Sequence, residues 1–203
     1  MLVKTLPVGQ LETNCYVVTN EKTLECVVID PGDESNTILD YLEDNCLVCK
    51  AIFLTHGHWD HIGAVKAVAE ETKAPVYLNE LDSAEKTVDR RFAYLLPENT
   101  LNYGEGSELD IAGLHFSVLA TPGHTQGSVT ILCENAMFSG DTLFRGSCGR
   151  TDLPGGDMDD ELHSLRRLCE LPDDYEVYPG HMDSSSLERE RAFNYYCRLA
   201  MRG

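Results

Sequence analysis

The sequence predicts a single α/β domain spanning residues 1–203, in which two similar β-rich halves pack together with helices outside. Three features point to it. With 203 residues, 42% of them hydrophobic and 25% charged, the chain is long enough to bury a substantial core. Its apolar runs are short, rich in Val, Ile, Leu and Tyr, and bounded by Gly, Pro, Asn and Asp. Strands followed by a helix occur twice in succession, with no low-complexity linker and no repeat of fixed spacing.

Leu2 to Val8, Cys15 to Thr19 and Cys26 to Ile29 read as strands. The third stops at Asp30-Pro31-Gly32-Asp33, because Pro lacks the ladder donor and Gly permits the turn. Ser35 is placed to cap a helix from Asn36 to about Asn45, with Ile38, Leu39, Tyr41 and Leu42 as its apolar face. Ala51 to Leu54 is a buried strand, and Ile62 to Lys73 a helix with Ile62, Val65, Val68 and Ala69 at helical spacing. Val76 to Leu78 is a strand and Leu81 to Val88 a short helix, while residues 89–107 show no deciding periodicity. Leu114 to Ala120 is a strand; Val129 to Cys133 and Ala136 to Ser139 form a hairpin turning at Glu134-Asn135. A glycine-rich loop from Arg145 to Gly156 leads into a helix from Met158 to Leu171, with Leu162, Leu165, Leu168 and Cys169 on one face. Glu176 to Tyr178 is the last strand, and Ser186 caps a terminal helix running to about Met201.

Charge and composition narrow the function. A net charge of −18 repels phosphate backbones, and no run of Lys or Arg offsets it, so nucleic acid is not an expected partner. No apolar stretch approaches the roughly 18 residues that cross a bilayer. The N-terminus lacks an apolar segment followed by a small-residue cleavage site. The expectation is a cytoplasmic protein without a membrane role. The eight cysteines are scattered, Cys46 and Cys49 being the one close pair, and they read as buried free thiols.

Between the buried strand and the helix that follows it lies Thr55-His56-Gly57-His58-Trp59-Asp60-His61. Divalent metals of intermediate softness favour imidazole and carboxylate donors. Chance would place such a spacing in roughly one chain of this composition per thousand. His124, Asp141 and His181 each follow another strand, and each stands next to a glycine. Ends of strands in layered α/β folds are where functional groups are held by rigid elements. His115 within a strand and His163 within a helix join no cluster, and Trp59 reads as packing beside the site.

Taken in order, the runs from Thr55 to His61, Thr121 to Thr125, Ser139 to Phe144 and Tyr178 to His181 resemble those of the metallo-β-lactamase superfamily. Within it, Gly123-His124-Thr125-Gln126-Gly127-Ser128 and Asp141-Thr142-Leu143-Phe144 are most similar to the hydroxyacylglutathione hydrolase (glyoxalase II) branch. The resemblance implies a four-layer αββα sandwich and two divalent metal ions, zinc first, with iron or manganese as alternatives. His56, His58 and His124 would hold the first ion, Asp60, His61 and His181 the second, and Asp141 would bridge them. It further implies a metal-dependent hydrolase whose partner is a small-molecule thioester, attacked by a metal-bridging hydroxide. Asp60 would be catalytic as well as a ligand, accepting a hydrogen bond from the nucleophile. Asp30 either orients a ligand histidine or simply forms the turn.

Two departures qualify the resemblance. Glyoxalase II enzymes carry a C-terminal helical domain that binds glutathione, whereas 22 residues follow His181 here, so no such domain is expected. The run Gly146-Ser147-Cys148-Gly149-Arg150-Thr151-Asp152 looks more like that of persulfide dioxygenases and of short glyoxalase II-like proteins. The alternative is therefore a mononuclear iron persulfide dioxygenase with ligands at His56, His124 and Asp141. Arg145 and Arg150 are candidate anchors for a substrate carboxylate, an ion pair with Asp152 or Asp157 being the plainer role for Arg150. Cys148 is either a reactive thiol or a buried one. A β-lactamase role is not expected without an export signal.

Overall fold

The computed structural model describes residues 1–83 and 95–202. The β-branched and aromatic runs form β1 (Leu2–Val8), β2 (Thr13–Asn20), β3 (Glu25–Ile29), β4 (Val48–Phe53), β5 (Val76–Leu78) and β6 (Leu101–Asn102), side by side in chain order. The first three pair antiparallel and the rest parallel. Parallel neighbours need crossovers: α1 (Ser35–Asp44) joins β3 to β4, and α2 (Trp59–Ile62) with α3 (Val65–Thr72) joins β4 to β5. β7 (Glu108–Ile111), β8 (Leu114–Ala120), β9 (Val129–Cys133) and β10 (Ala136–Gly140) begin a second sheet. β11 (Leu143–Phe144) and β12 (Ser147–Cys148) make a small ribbon. α4 (Met158–Cys169) then returns the chain to β13 (Glu176–Pro179) and β14 (Ser185–Ser186), which complete the sheet in the order β14-β13-β10-β9-β8-β7. α5 (Leu187–Phe193) and α6 (Tyr195–Ala200) close the described chain.

Both sheets are covered on both faces, which is why their central strands are apolar throughout rather than alternating. Between the sheets lie Tyr16, Val18, Val27, Ile29 and Phe53 against Phe116, Val118, Val129, Ile131 and Phe138. Phe53 meets Phe116 edge-on with ring centroids 5.2 Å apart. On the outer face of the first sheet, Val28, Ile52 and Leu54 pack with Ile38, Leu42, Val65 and Val68. On the outer face of the second, Met137 and Val177 pack with Leu165, Leu168, Leu187 and Cys197. This is the four-layer αββα sandwich that the resemblance implies.

Several local expectations are corrected. Ser35 is the first residue of α1 and not its cap; Glu34 stands before it in the left-handed region (φ 50°) with no side-chain cap bond. The expected helix from Ile62 to Lys73 is two helices. Gly63 passes so close to Gly32 that a Cβ on it would lie 2.2 Å from the Gly32 carbonyl oxygen, and Ala64 donates its amide to Pro31. The terminal helix is also split. Ser186 caps α5 as expected, but Asn194 turns out of it, donates to the carbonyls of Phe144 and Ser147, and caps α6 with Oδ1. Of the expected helix Leu81 to Val88, a 3₁₀ turn over Glu80–Asp82 is present and residues 84–88 lie outside the described residues. β7 and the β11–β12 ribbon arise where the sequence had suggested no element. All eight cysteines are free and only Cys46 is exposed. Among the described residues no helix is long and apolar enough to cross a membrane.

Candidate metal centre

β4, β8, β10 and β13 deliver their C-terminal ends to one edge of the sandwich. His56 follows β4, His58 precedes the first turn of α2, and Asp60 and His61 lie within that turn. His124 follows β8, Asp141 follows β10, and His181 follows β13. Convergence this tight requires glycine beside the donors. A Cβ on Gly180 would stand 2.1 Å from Asp141 Oδ1, and one on Gly149 would stand 1.8 Å from the Asp141 carbonyl oxygen.

All seven residues come together. In each of three groups, His56–His58–His124, His56–His61–Asp141 and Asp60–His61–His181, one donor atom per residue lies within 4.8 Å of the others. Asp141 faces both ends of the cluster: Oδ1 is 3.4 Å from His61 Nε2, and Oδ2 is 3.5 Å from His124 Nε2 and 3.6 Å from His181 Nε2. Asp60 Oδ2 is 3.3 Å from His181 Nε2 and 3.7 Å from His61 Nε2. His56 Nε2, His61 Nε2 and Asp141 Oδ1 are buried with no hydrogen-bond partner. Leaving such atoms unmet costs about 1–3 kcal/mol each. Cations bound among N and O donors remove that cost, so the residues present fit a pair of divalent metals.

The outward nitrogens are fixed, which aims the inward ones. Asp30 Oδ2 accepts from His61 Nδ1 at 2.9 Å and from the Thr55 hydroxyl at 2.6 Å, while Oδ1 accepts the Thr55 amide at 2.8 Å. The same hydroxyl lies 3.1 Å from His56 Nδ1. Asp30 holds φ at 51°, a strained value for a residue other than glycine. It therefore forms the turn and orients a histidine at once. His124 Nδ1 donates to the Arg150 carbonyl at 2.7 Å, and His181 Nδ1 to that of Leu11 at 3.1 Å. Such outer partners set tautomer and ring orientation.

Electrostatics agree with a cationic occupant. Burial, then the neighbouring imidazoles His124 and His61, push His58 down to about 4. Burial and the same crowding hold His56 well below the usual imidazole range. Both are neutral at physiological pH, the form that binds metal. Burial alone would raise Asp141, but His61, His124 and His181 outweigh it and keep the carboxylate ionised. His61 is raised above the ordinary range by Asp141 and Asp30 in spite of its burial.

The remaining candidates are placed as follows. Arg145 pairs with Asp183 at 2.9 Å. Arg150 lines the cavity beside the cluster and grips Asp152 with Nε and Nη2 at 2.7 and 2.8 Å. Cys148 is buried in the cavity wall, and burial pushes its thiol up to about 12, so it stays protonated. His115 is exposed and bound to Asp110 and Glu108; His163 is exposed on α4.

Two buried carboxyls escape the sequence pattern. Asp82 accepts from the Gly57 amide and the Thr125 hydroxyl on Oδ2, at 2.9 and 2.7 Å, and from the Gly127 amide on Oδ1 at 2.9 Å. It thereby ties the loop carrying His56 and His58 to the loop carrying His124. No local signal marks it, since these partners lie 25 to 45 positions away. Asp82→Asn is expected to weaken the hold on one of two ions by about ten- to hundredfold in chelator competition. Equal affinities in the two proteins would show that the loops keep their places without it. Glu161 lies in α4 against Gly123, and neither of its oxygens makes a well-formed hydrogen bond. Burial pushes it up to about 9, which the nearby amides of Gly149 and His124 offset only in part. Its spacing four before Leu165 places it on the apolar face, a sign visible in the sequence.

Residues 8–181 match the model of the metallo-β-lactamase superfamily. The chain is similar to the probable metallo-hydrolase YqgX of Bacillus subtilis, at 35% identity over 94% of this chain and 95% of that one. It is also similar to the hydroxyacylglutathione hydrolase GloC of Haemophilus influenzae, at 30% identity over 96% and 97%. Among solved structures, the BLEG-1 B3 metallo-β-lactamase superposes with a TM-score of 0.86, at 36% identity over 97% of this chain and 99% of that one. TTHA1623 in a di-iron-bound form gives 0.84, 38%, 96% and 100% in the same terms. ETHE1 from Myxococcus xanthus gives 0.85, 29%, 99% and 90%. Fold, donor cluster and likeness along nearly the whole chain agree: this protein belongs to the metallo-β-lactamase superfamily.

Proposed function

We propose that this metallo-hydrolase cleaves thioesters at two divalent metal ions, zinc first, with iron or manganese as alternatives. The observation that carries the reading is Asp141, whose Oδ2 lies between His124 of one donor set and His181 of the other, while Oδ1 faces His61. His56, His58 and His124 would hold one ion, Asp60, His61 and His181 the other, with Asp141 shared. When bound, such ions activate water at neutral pH and polarise a carbonyl as Lewis acids.

The chain's own residues favour a thioester over an amide. Among the described residues outside the cluster, the titratable groups lining the cavity are Asp82, Cys148 and Arg150. Asp82 is committed to three hydrogen bonds, Cys148 holds its proton tightly, and Arg150 is paired. None is poised to protonate an amine, whereas a thiolate leaves without prior protonation. Asp60 would orient the attacking water while His181 and His61 keep its carboxylate ionised against the effect of burial. The similar Haemophilus protein, a hydroxyacylglutathione hydrolase by name, supports the same class.

The alternative, a mononuclear iron persulfide dioxygenase, needs only His56, His124 and Asp141. Such enzymes can retain the second donor set, so what supports the hydrolase over it is the likeness to the Haemophilus hydroxyacylglutathione hydrolase and a donor arrangement that suits two ions. Eight free thiols support a reducing compartment, the cytoplasm, and the charge of −18 argues against a nucleic-acid partner. The test is metal analysis of protein purified without added metal, followed by assays on Zn-, Fe- and Mn-loaded protein. About two ions per chain with thioester turnover abolished by chelation is the expected result. One iron with oxygen uptake on a persulfide, or turnover of a β-lactam but of no thioester, would overturn the reading.

A further inference from the structure

Beside the cluster opens a cavity of about 870 Å³, within the range that holds a small-molecule ligand. Its apolar lining is Leu11, Trp59, Phe144, Leu153, Pro154 and Met182, with Thr125, Ser147, Asp82 and Arg150 as the polar side chains outside the donors. Three of these are large apolar side chains held in the open: Leu11 is 52% exposed, Trp59 44% and Met182 61%. They sit on the loop after β1, the turn of α2 and the segment after β13, so separate elements place apolar groups around one mouth. Met182, which follows His181 in the chain, has φ 69°, in the left-handed region.

The cavity is as poor in available cations as it is rich in apolar surface. Among the described residues, Arg150 is the one Lys or Arg in the lining, and its fork is closed on both carboxylate oxygens of Asp152. Arg145 does not line the cavity and is paired with Asp183. The chain as a whole carries a net charge of −18. A carrier bearing free carboxylates would meet a chain of like charge and, among the described residues, no unpaired guanidinium or ammonium in the lining. An apolar group would exchange water for Leu, Trp, Phe and Met, at about 25 cal/mol for each Å² buried.

We propose that this cavity selects thioesters whose acyl and thiol parts are uncharged and apolar, in preference to glutathione thioesters. The inference rests on the thioester reading for its chemistry, while the recognition it describes is measurable without turnover. Trp59 is the sole tryptophan of the chain and stands in the cavity wall, so its fluorescence reports occupancy there alone.

Two measurements separate the claims. First, Trp59 fluorescence is titrated with two unreactive thioethers, S-benzyl-N-acetylcysteamine and S-methylglutathione. The neutral benzyl compound is expected to bind at least about tenfold more tightly. Leu11→Glu, at an exposed rim position, is expected to erase that advantage, and Asp152→Ala, which frees the Arg150 fork, to strengthen binding of the glutathione compound. Equal or tighter binding of S-methylglutathione to the wild-type protein would overturn the inference. Second, kcat/KM is compared for phenylacetyl and lactoyl thioesters of N-acetylcysteamine and of glutathione on metal-loaded protein. The phenylacetyl ester of N-acetylcysteamine is expected to lead and lactoylglutathione to trail by about tenfold or more, mainly through KM. Turnover led by the glutathione esters would overturn the pocket assignment and leave the thioester reading standing. Turnover of none of the four would overturn the thioester reading, whatever the fluorescence gave.

Discussion

Asp141→Asn is expected to reduce bound metal from about two ions per chain to one or fewer, and thioester turnover by about a thousandfold. The reasoning is geometric. Asp141 sets Oδ1 toward His61 and Oδ2 toward His124 and His181, so it belongs to both donor sets. An amide keeps the shape, loses the charge and turns an N–H₂ toward one set of imidazoles. The side chain is nearly the same volume, so circular dichroism should be unchanged, separating loss of metal from loss of fold. Elemental analysis after dialysis provides the measurement. Retention of two tightly held ions would mean that the carboxylate does not join the sites.

Glu161→Gln is expected to raise the melting temperature of chelator-stripped protein at pH 8, with the gain fading as pH falls toward 4.5. The folded chain holds the Glu161 proton until about pH 9, whereas the unfolded chain releases it near the ordinary value of 4.5. A folded value raised this way leaves stability intact below the unfolded value. Stability is then lost as pH climbs through the window between the two, by about 1.4 kcal/mol for each pH unit at most. Glutamine does not titrate and escapes that loss. One kcal/mol moves the midpoint of a domain this size by about 2–4 °C, so a gain of about 5 °C or more at pH 8 is expected. Stripped protein is the right material because bound cations would themselves favour the ionised carboxylate. A difference between the two proteins that stayed constant from pH 4.5 to 8.5 would remove Glu161 as the cause.

What the sequence revealed follows from how local each cause is. The donors were legible because three imidazoles and a carboxylate within six positions are improbable, and because His124, Asp141 and His181 each stand beside glycine at a strand end. The buried strands were legible as unbroken apolar runs such as Cys26 to Ile29. Breaks in helices were not. Gly63 interrupts its helix through contact with the Gly32 backbone, and Asn194 leaves its helix to reach Phe144 and Ser147. Such partners lie far away in sequence, where periodicity carries no information. Asp82 was hidden for the same reason. Asp30 was half legible: its position before Pro31-Gly32 announced a turn, but only the fold puts His61 Nδ1 against its carboxylate.

The donors are split between the two sheets, His56 to His61 hanging from the first and His124, Asp141 and His181 from the second. A nascent chain therefore exposes an incomplete chelate for as long as translation runs from residue 56 to residue 181. Ions picked up early would be loosely clasped and readily exchanged, and the final complement would be fixed only once both sheets had docked. Metal choice in the cell would then be governed by whichever ion is abundant at that late moment of maturation.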